Sequence, residues 1–395
     1  MSGRSRRPGI AAGVLIVAVG LSVRYPITSV SPLLDEIGDA YRLPHTAIAV
    51  LAAIPVLLFG LAAPLAPALV RRLGLSRAIA VLLAVLAGAT LLRPLAPAPL
   101  FAGTVAVGAA IALLGILAPQ IIRLALSARG GFWTGVYTTS FGISAAAGAA
   151  LAVPLFHALG ERVGAALAAW TVPLLIACAL SLVFGPRIEG GDGAGTIHSD
   201  RPRESVFRAR GLWPVTGFFG CQALIYFSLT AWLPTIAIDR GADPTEAGLL
   251  LAWMSIAGLP ASLLAPSLAS RPRWRAGLII GAASLAVTGL VGLGFAPAAL
   301  MPAAVAILGV ALSAAFGLSI ALIVFTSPNV AQTAAFSAIS QGFGYAAAAV
   351  GPLAPGLLVE AGAGWPAVLL MLSAVAVCEL AFGLASLRAS RPAAA

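Results

Sequence analysis

A succession of apolar segments constrains this chain more than any other feature, because each is long enough to cross about 30 Å of hydrocarbon as a helix. Charged residues make up only 9% of the 395 residues, and the mean hydropathy is +1.03. A soluble domain carries roughly 25% charged residues to wet its surface. The sequence therefore predicts an all-α integral membrane protein with twelve transmembrane helices, over residues 10–33, 46–70, 76–96, 98–125, 132–157, 163–185, 213–237, 245–269, 275–296, 298–325, 332–358 and 364–387.

One long polar interruption, residues 186–210, divides the twelve segments into two sets of six. It predicts an N-terminal bundle over 1–185, a cytoplasmic linker loop over 186–210 and a C-terminal bundle over 211–395. The halves also repeat each other at an offset of 200 residues, where Pro44, Ala47, Leu51, Ala52 and Arg71 match Pro244, Ala247, Leu251, Ala252 and Arg271. An even number of helices per repeat gives both halves the same orientation. This pattern is typical of transporters with two parallel bundles around a central cavity.

The basic residues are all arginines, and they cluster between apolar segments rather than on one face. With the N-terminus in the cytoplasm, 18 of the 23 arginines fall in inside segments and only Arg42, Arg93, Arg162 and Arg240 fall outside, with Arg24 inside a span. Positive residues favour the cytoplasmic side, so both termini are predicted to be cytoplasmic. The net charge of +10 is thus explained by membrane topology, and we expect no nucleic-acid partner.

Arg24 is the most informative single residue. It lies about 20 Å along the first predicted helix, at 1.5 Å per residue. A guanidinium at that depth costs several kcal/mol unless it meets water, a counter-charge or a ligand. We expect it to bind an anion or to polarise a neutral polar ligand. Two alternatives remain open: Arg24 reaches the outer interface, or it pairs with Asp35 or Glu36 after a kink at Pro26.

Polar side chains at helical spacing supply further candidates for substrate binding. Two glutamine–tyrosine pairs recur four residues apart, which places each pair on one helix face. They would face a cavity, or they would hold helices together by hydrogen bonds. Weaker members of the same polar set are Thr28 and Tyr137 with Thr138 and Thr139. Trp232 would bound the cavity or lie at the membrane interface. The complete set of predicted substrate-binding residues is Arg24, Thr28, Tyr137, Gln222, Tyr226, Trp232, Gln341 and Tyr345.

Other chemistry has little support in the sequence. Of the three histidines, His45 and His157 fall at the outer ends of predicted helices and His198 falls in the central loop, so they cannot form one metal site. The sequence contains no phosphate-binding glycine loop and no nucleophile with a nearby base. We therefore predict no metal, no cofactor and no enzymatic activity. Glu379 is the only carboxylate clearly inside a span, and we expect it to pair with Arg388 or to reach the cytoplasmic face. The scarcity of buried acid favours uniport, exchange or coupling through the substrate's own charge over coupling through a proton-binding side chain.

Several motifs resemble the cyanate and 2-nitroimidazole transporter family of major facilitators. They are Arg24-Tyr25-Pro26-Ile27-Thr28, Phe218-Phe219-Gly220-Cys221-Gln222 and Ser340-Gln341-Gly342-Phe343-Gly344-Tyr345. The resemblance covers nearly the whole chain. It implies the major facilitator fold and transport of small anionic or polar solutes across the bacterial inner membrane. By matching position, it also adds weight to Arg24 and to the two glutamine–tyrosine pairs.

The sequence departs from the family pattern at Ser22 and Val23, where the family usually has an amide, so ligand hydrogen bonding should differ. The leading hypothesis is a functional monomer in the lipid bilayer that moves a small anionic or polar solute by alternating access. The alternative is a multidrug or toxic-metabolite efflux pump of the same fold.

Overall fold

The computed structural model describes residues 7–43, 45–189 and 206–389, and every regular element in these ranges is helical. The α-helices are α1 Arg7–Ser22, α2 Tyr25–Thr28, α3 Leu34–Tyr41, α4 His45–Leu61, α5 Leu65–Leu73, α6 Leu75–Leu92, α7 Pro97–Ala125, α8 Gly130–Ala158, α9 Val163–Ala169, α10 Thr171–Phe184, α11 Pro186–Glu189, α12 Leu212–Asp239, α13 Pro244–Leu268, α14 Pro272–Phe295, α15 Met301–Thr326, α16 Val330–Ala348, α17 Val350–Glu360 and α18 Trp365–Ala389. Short 3₁₀ turns lie at Ser31–Leu33, Arg93–Leu95, Ser127–Arg129, Val206–Arg208 and Ala298–Leu300. Most of the predicted linker, with His198, and Pro44 of the internal repeat lie outside the described residues.

Ten helical segments in the described ranges are long and apolar enough to cross a membrane. The all-helical architecture is therefore confirmed. The other two predicted spans, 46–70 and 332–358, coincide with helix pairs, α4 with α5 and α16 with α17, that are interrupted near Pro64 and at Ala349. Proline lacks the N–H that would continue a helix, which accounts for the first interruption. The count of twelve crossings remains a prediction.

The chain divides into two compact units. Unit 1 comprises Met1–Ala128 and Ser140–Pro202, and unit 2 comprises Arg129–Thr139 and Arg203–Ala395. Helix α8 contributes to both, because its first part, up to Thr139, belongs to unit 2. The bundle boundaries at 185 and 211 stay a prediction.

In unit 1, small residues let helices approach closely around an apolar core. Leu33, Ile37, Leu100 and Leu167 are almost fully buried in one cluster there. A Cβ atom added to Gly108 of α7 would lie 3.1 Å from the Cα of Pro55 in α4. Such contacts are how helices gain packing energy where lipid is as apolar as leucine.

In unit 2, helices α13 and α15 touch backbone to backbone through a stripe of small residues. A Cβ atom added to Gly258 would lie 2.6 Å from the carbonyl oxygen of Gly309, and one on Gly309 would collide with the carbonyl of Met254. Farther along, a Cβ atom on Gly317 would lie 3.2 Å from the carbonyl oxygen of Ser262. The two backbones are therefore in close contact at these glycines, with only the compact side chains of Ser313 and Pro266 beside them. Helices α12, α14 and α18 complete the core around this crossing.

Candidate functional site

The first predicted helix is interrupted at Arg24. Helix α1 ends at Ser22, and α2 begins at Tyr25. Pro26 has no N–H to donate to the carbonyl of Ser22, so the regular hydrogen-bond ladder cannot continue there. The released N–H groups of Arg24 and Tyr25 both donate to the Oγ atom of Ser144 in α8, at 3.2 and 3.0 Å. One serine thus satisfies two backbone groups that the interruption leaves without helical partners.

A second contact fixes the same interruption from the other side. The Nη1 atom of Arg93 donates to the carbonyl oxygen of Pro26 at 2.9 Å. Arg93 is only 1% exposed, and its Nε and Nη2 atoms have no hydrogen-bond partner among the described residues. The placement of Arg93 in an outside segment stays a prediction, and the structure adds that its side chain is buried. The Pro26 carbonyl is available to it because α2 ends after one turn, at Thr28, and leaves the last carbonyls without helical donors.

Gly148 of α8 brings that helix against the interrupted segment. A Cβ atom at this position would collide with the Oγ1 atom of Thr28 and lie 2.7 Å from the Cα of Tyr25. The ring of Tyr25 stacks on Trp170 at 5.0 Å between centroids. The close approach of α8 thus keeps Ser144 within reach of the Arg24 backbone.

The Arg24 side chain lies between two aromatic rings. Its guanidinium carbon is 4.7 Å from the centre of the Phe141 ring and 5.8 Å from that of Phe59. Both distances are within the range of cation–π attraction. The side chain is half-buried, and no described carboxylate or other acceptor bonds to its guanidinium. Ring faces thus stabilise the cation while its planar edge of N–H donors stays available for a ligand.

The alternatives considered for Arg24 are partly resolved. No ion pair joins it to Glu36 among the described residues, and the side chain of Asp35 lies outside the described ones. Thr28, one turn later, donates its hydroxyl to the Arg24 carbonyl oxygen at 3.2 Å. This bond closes the turn of α2, so Thr28 supports the geometry of the interruption in this conformation.

The two predicted glutamines of unit 2 are both buried. Gln222 is 3% exposed and donates from Nε2 to the carbonyl oxygen of Leu312 at 3.3 Å, while its Oε1 atom has no partner among the described residues. Gln341 is 4% exposed and donates to the Oγ atom of Ser337 at 2.7 Å. An orphaned amide oxygen costs free energy when it is buried. Gln222 therefore retains one acceptor for a donor group of a ligand.

The two predicted tyrosines of unit 2 share one phenylalanine. The ring of Phe227 lies 5.5 Å from that of Tyr226 and 6.1 Å from that of Tyr345. Tyr345 also contacts Phe219 edge to face at 4.9 Å. Both tyrosines are half-buried. The structure therefore brings the two tyrosines, but not their glutamines, into one aromatic cluster, made of Phe219, Tyr226, Phe227 and Tyr345.

The remaining candidates lie apart from that cluster. Trp232 packs against the core of unit 2 and lies 5.5 Å from the ring of Trp365. Tyr137 is 2% exposed in the first part of α8. Burial of this kind fits a packing role. Their assignment to substrate binding stays a prediction.

Glu379 differs from its prediction. It neither pairs with Arg388 nor reaches solvent, because the residue is 1% exposed and neither carboxyl oxygen has a hydrogen-bond partner among the described residues. The only described ion pair joins His157 to Glu161, at 3.3 Å. No described group of three or more His, Cys, Asp or Glu side chains could hold a metal ion.

A cavity of about 600 Å³ opens elsewhere in unit 2, where α12, α13 and α15 end or begin. Arg240, Glu246 and Trp253 line it with apolar residues. The Arg240 guanidinium donates to the carbonyl oxygens of Leu293 and Ala296. None of the predicted substrate-binding residues lines this cavity, so it gives their assignment no support.

Replacing Ser144 with alanine should lower the free energy of unfolding by about 1–3 kcal/mol, because the N–H groups of Arg24 and Tyr25 would lose their acceptor. The measurement is reversible unfolding in mixed micelles. Ser140→Ala is the matched control, since Ser140 is buried one turn earlier on α8 and makes neither bond. Equal stability of the two variants would mean that the serine does not hold the interruption.

The chain is similar in sequence to known membrane transporters. The model of the Major Facilitator Superfamily matches residues 10–301 and 221–395. The 2-nitroimidazole transporter of Escherichia coli is 32% identical over 387 residues, covering 97% of this chain and 96% of that protein. The uncharacterised transporter YycB of Bacillus subtilis is 32% identical over 370 residues (93% and 91%), and the cyanate transport protein CynX of Escherichia coli is 28% identical over 349 residues (87% and 89%).

Among solved structures, the transporter FucP in its outward conformation is similar in fold. The TM-score is 0.72 at 15% identity, and the alignment covers 98% of this chain and 100% of that one. An identity this low supports the fold alone.

Proposed function

This chain belongs to the Major Facilitator Superfamily of transporters, and we propose that it moves small, electron-rich anionic or polar solutes across a bacterial inner membrane by alternating access. The proposal includes twelve transmembrane helices in two six-helix bundles, with both termini in the cytoplasm and a monomer as the working unit. The family membership is the basis for describing this chain as a transporter. The substrate class depends on the chemistry of the chain's own residues.

The observation that carries the substrate class is the Arg24 guanidinium. It lies between the rings of Phe59 and Phe141, and no described protein atom accepts a hydrogen bond from it. A half-buried cation that has no counter-ion among the described residues attracts a ligand that brings negative charge or electron-rich oxygen or nitrogen atoms. Its planar fork suits two acceptor atoms at once, as in a nitro group or a carboxylate.

Two of the relatives are named for solutes of this kind. Cyanate is a small anion, and 2-nitroimidazole is a flat neutral ring whose nitro oxygens accept hydrogen bonds. We propose that Arg24 binds the electron-rich group of such a solute. For unit 2, considered by itself, we propose that the Oε1 atom of Gln222, which has no partner among the described residues, accepts from an N–H group of a solute, and that Tyr226, Gln341 and Tyr345 contact it.

The test is exchange of labelled solute in proteoliposomes that contain the purified protein. Vesicles loaded with unlabelled 2-nitroimidazole or cyanate should take up the labelled form faster than protein-free vesicles of the same lipid. Ethidium serves as the probe for cationic drug efflux. Ethidium movement, together with no protein-dependent exchange of either small solute, would reject the proposal in favour of the efflux alternative.

A further inference from the structure

Glu379 is a buried acid that the proposed transport mechanism does not use. It lies in the second half of α18 and is 1% exposed. Neither Oε1 nor Oε2 has a hydrogen-bond partner among the described residues. A carboxyl group in the interior of a transmembrane unit is rare, and it is costly when nothing satisfies it.

The face of α18 that carries Glu379 packs closely against apolar residues. One turn later, Gly383 lets α18 approach its neighbours, since a Cβ atom there would lie 2.5 Å from Ile279 of α14 and 3.0 Å from the ring of Phe218 of α12. Next to it, the ring of Phe382 lies 2.6 Å from the position that a Cβ atom on Gly217 of α12 would take. Glu379 therefore lies on the face of α18 that contacts α12 and α14, at the junction of these three helices.

Among the described residues, no cation faces the carboxyl group from the helices packed around it. The thiol of Cys221 in α12 lies near it, and Cys378 is its neighbour in sequence; neither thiol carries a positive charge. The two arginines of α14 interact with other groups. The guanidinium of Arg273 lies over the ring of Trp274, and that of Arg275 lies over the ring of Phe325 and donates to the carbonyl oxygen of Ala269.

The other titratable residues on these helices lie farther along them. On α12 they are Tyr226, whose ring contacts Phe227, and Asp239 at the end of the helix. On α17 the one titratable residue is the terminal Glu360, and on α18 it is Arg388 in the last turn. Glu379 is therefore an acid without a compensating charge in the described part of unit 2.

We propose that Glu379 is a proton-binding site through which this transporter couples solute movement to a proton. An ionised carboxylate without a partner is far more costly to bury than the neutral acid. In the conformation described, Glu379 therefore binds one proton as a carboxylic acid. A conformation that admits water to the α12–α14–α18 junction lowers the cost of the carboxylate and releases that proton. This proposal rests on the proposed transport function, and it replaces the expectation of uniport.

The decisive experiment compares two modes of transport in the same proteoliposomes, with labelled 2-nitroimidazole as the probe. For one coupled proton, an imposed gradient of one pH unit can raise accumulation by up to about tenfold. We expect this stimulation in the wild type and its loss in Glu379→Gln, which keeps the size of the side chain but cannot ionise. Exchange at equal pH should be retained in Glu379→Gln, because it needs no net proton movement. Cys378→Ser, an exposed neighbour on α18, should behave as wild type.

A wild type that ignores the gradient, or a Glu379→Gln variant that still responds to it, would overturn the proposal. Absence of exchange in the wild type would instead count against the proposed solute. A second measurement then decides the proton site without any solute. Infrared spectra of the protein in lipid should contain the carbonyl band of a protonated acid that is missing in Glu379→Gln and that weakens at alkaline pH. The absence of this band, or its persistence at every pH at which the protein stays folded, would overturn the proposal.

Discussion

Replacing Arg24 with methionine should reduce kcat/KM for exchange of 2-nitroimidazole by about 100-fold. Methionine keeps an unbranched side chain against Phe59 and Phe141 but removes the charge and the donor fork. A hydrogen bond to a charged group contributes about 1.5–3 kcal/mol, and about 2.7 kcal/mol corresponds to 100-fold. The measurement is the initial rate of exchange across a range of solute concentrations, corrected for protein incorporated into the vesicles.

The lysine variant separates charge from shape. Arg24→Lys keeps the positive charge but presents a point charge instead of a planar fork, so we expect an intermediate rate. Arg187→Met is the matched control, because Arg187 is an exposed arginine of the same unit that also lies over a ring, that of Phe184, at 5.1 Å. If Arg24→Met exchanged solute as fast as Arg187→Met, Arg24 would have no part in binding.

Replacing Gly148 with alanine should destabilise the protein and slow exchange, although alanine is the better helix former. The added methyl group would overlap the Oγ1 atom of Thr28 and crowd the Cα of Tyr25. Overpacking of this kind costs about 1–3 kcal/mol. The methyl group would also push α8 away from the interruption and weaken the Ser144 bonds. Unfolding in mixed micelles measures the first effect, and exchange by the folded fraction measures the second.

Gly88→Ala is the control, for which we expect a change in stability of the opposite sign. Gly88 lies in α6 with no atom within 4 Å of the position that a Cβ would take. Removing a glycine from a helix there should raise stability by about 0.5–1 kcal/mol. If the Gly148 variant gained stability in the same way, the close approach of α8 to α2 would not exist.

The helices of this fold could be predicted because the cost of an exposed backbone in lipid forces long apolar runs into helices. The exact positions at which these helices are interrupted were harder to predict. The span predicted over 10–33 is divided into α1, α2 and a 3₁₀ turn. Hydropathy averages over many residues, so it does not register that Pro26 lacks one N–H.

The candidate site was only partly predictable for a related reason. Arg24 stood out because a charge in an apolar span is conspicuous in sequence alone. Ser144 could not be assigned, since it lies 120 residues from Arg24 and a serine in a helix is unremarkable. The burial of Arg93 could not be predicted either, because it depends on a carbonyl 67 residues away.

The close crossing of α13 and α15 has a mechanical consequence. At Gly258 and Gly309 the two backbones are in contact, so one helix cannot slide past the other without collisions between main-chain atoms. We therefore expect a rearrangement that opens unit 2 to move these two helices together. We expect the bending to occur instead at interruptions between helices, such as the one between α16 and α17 at Ala349.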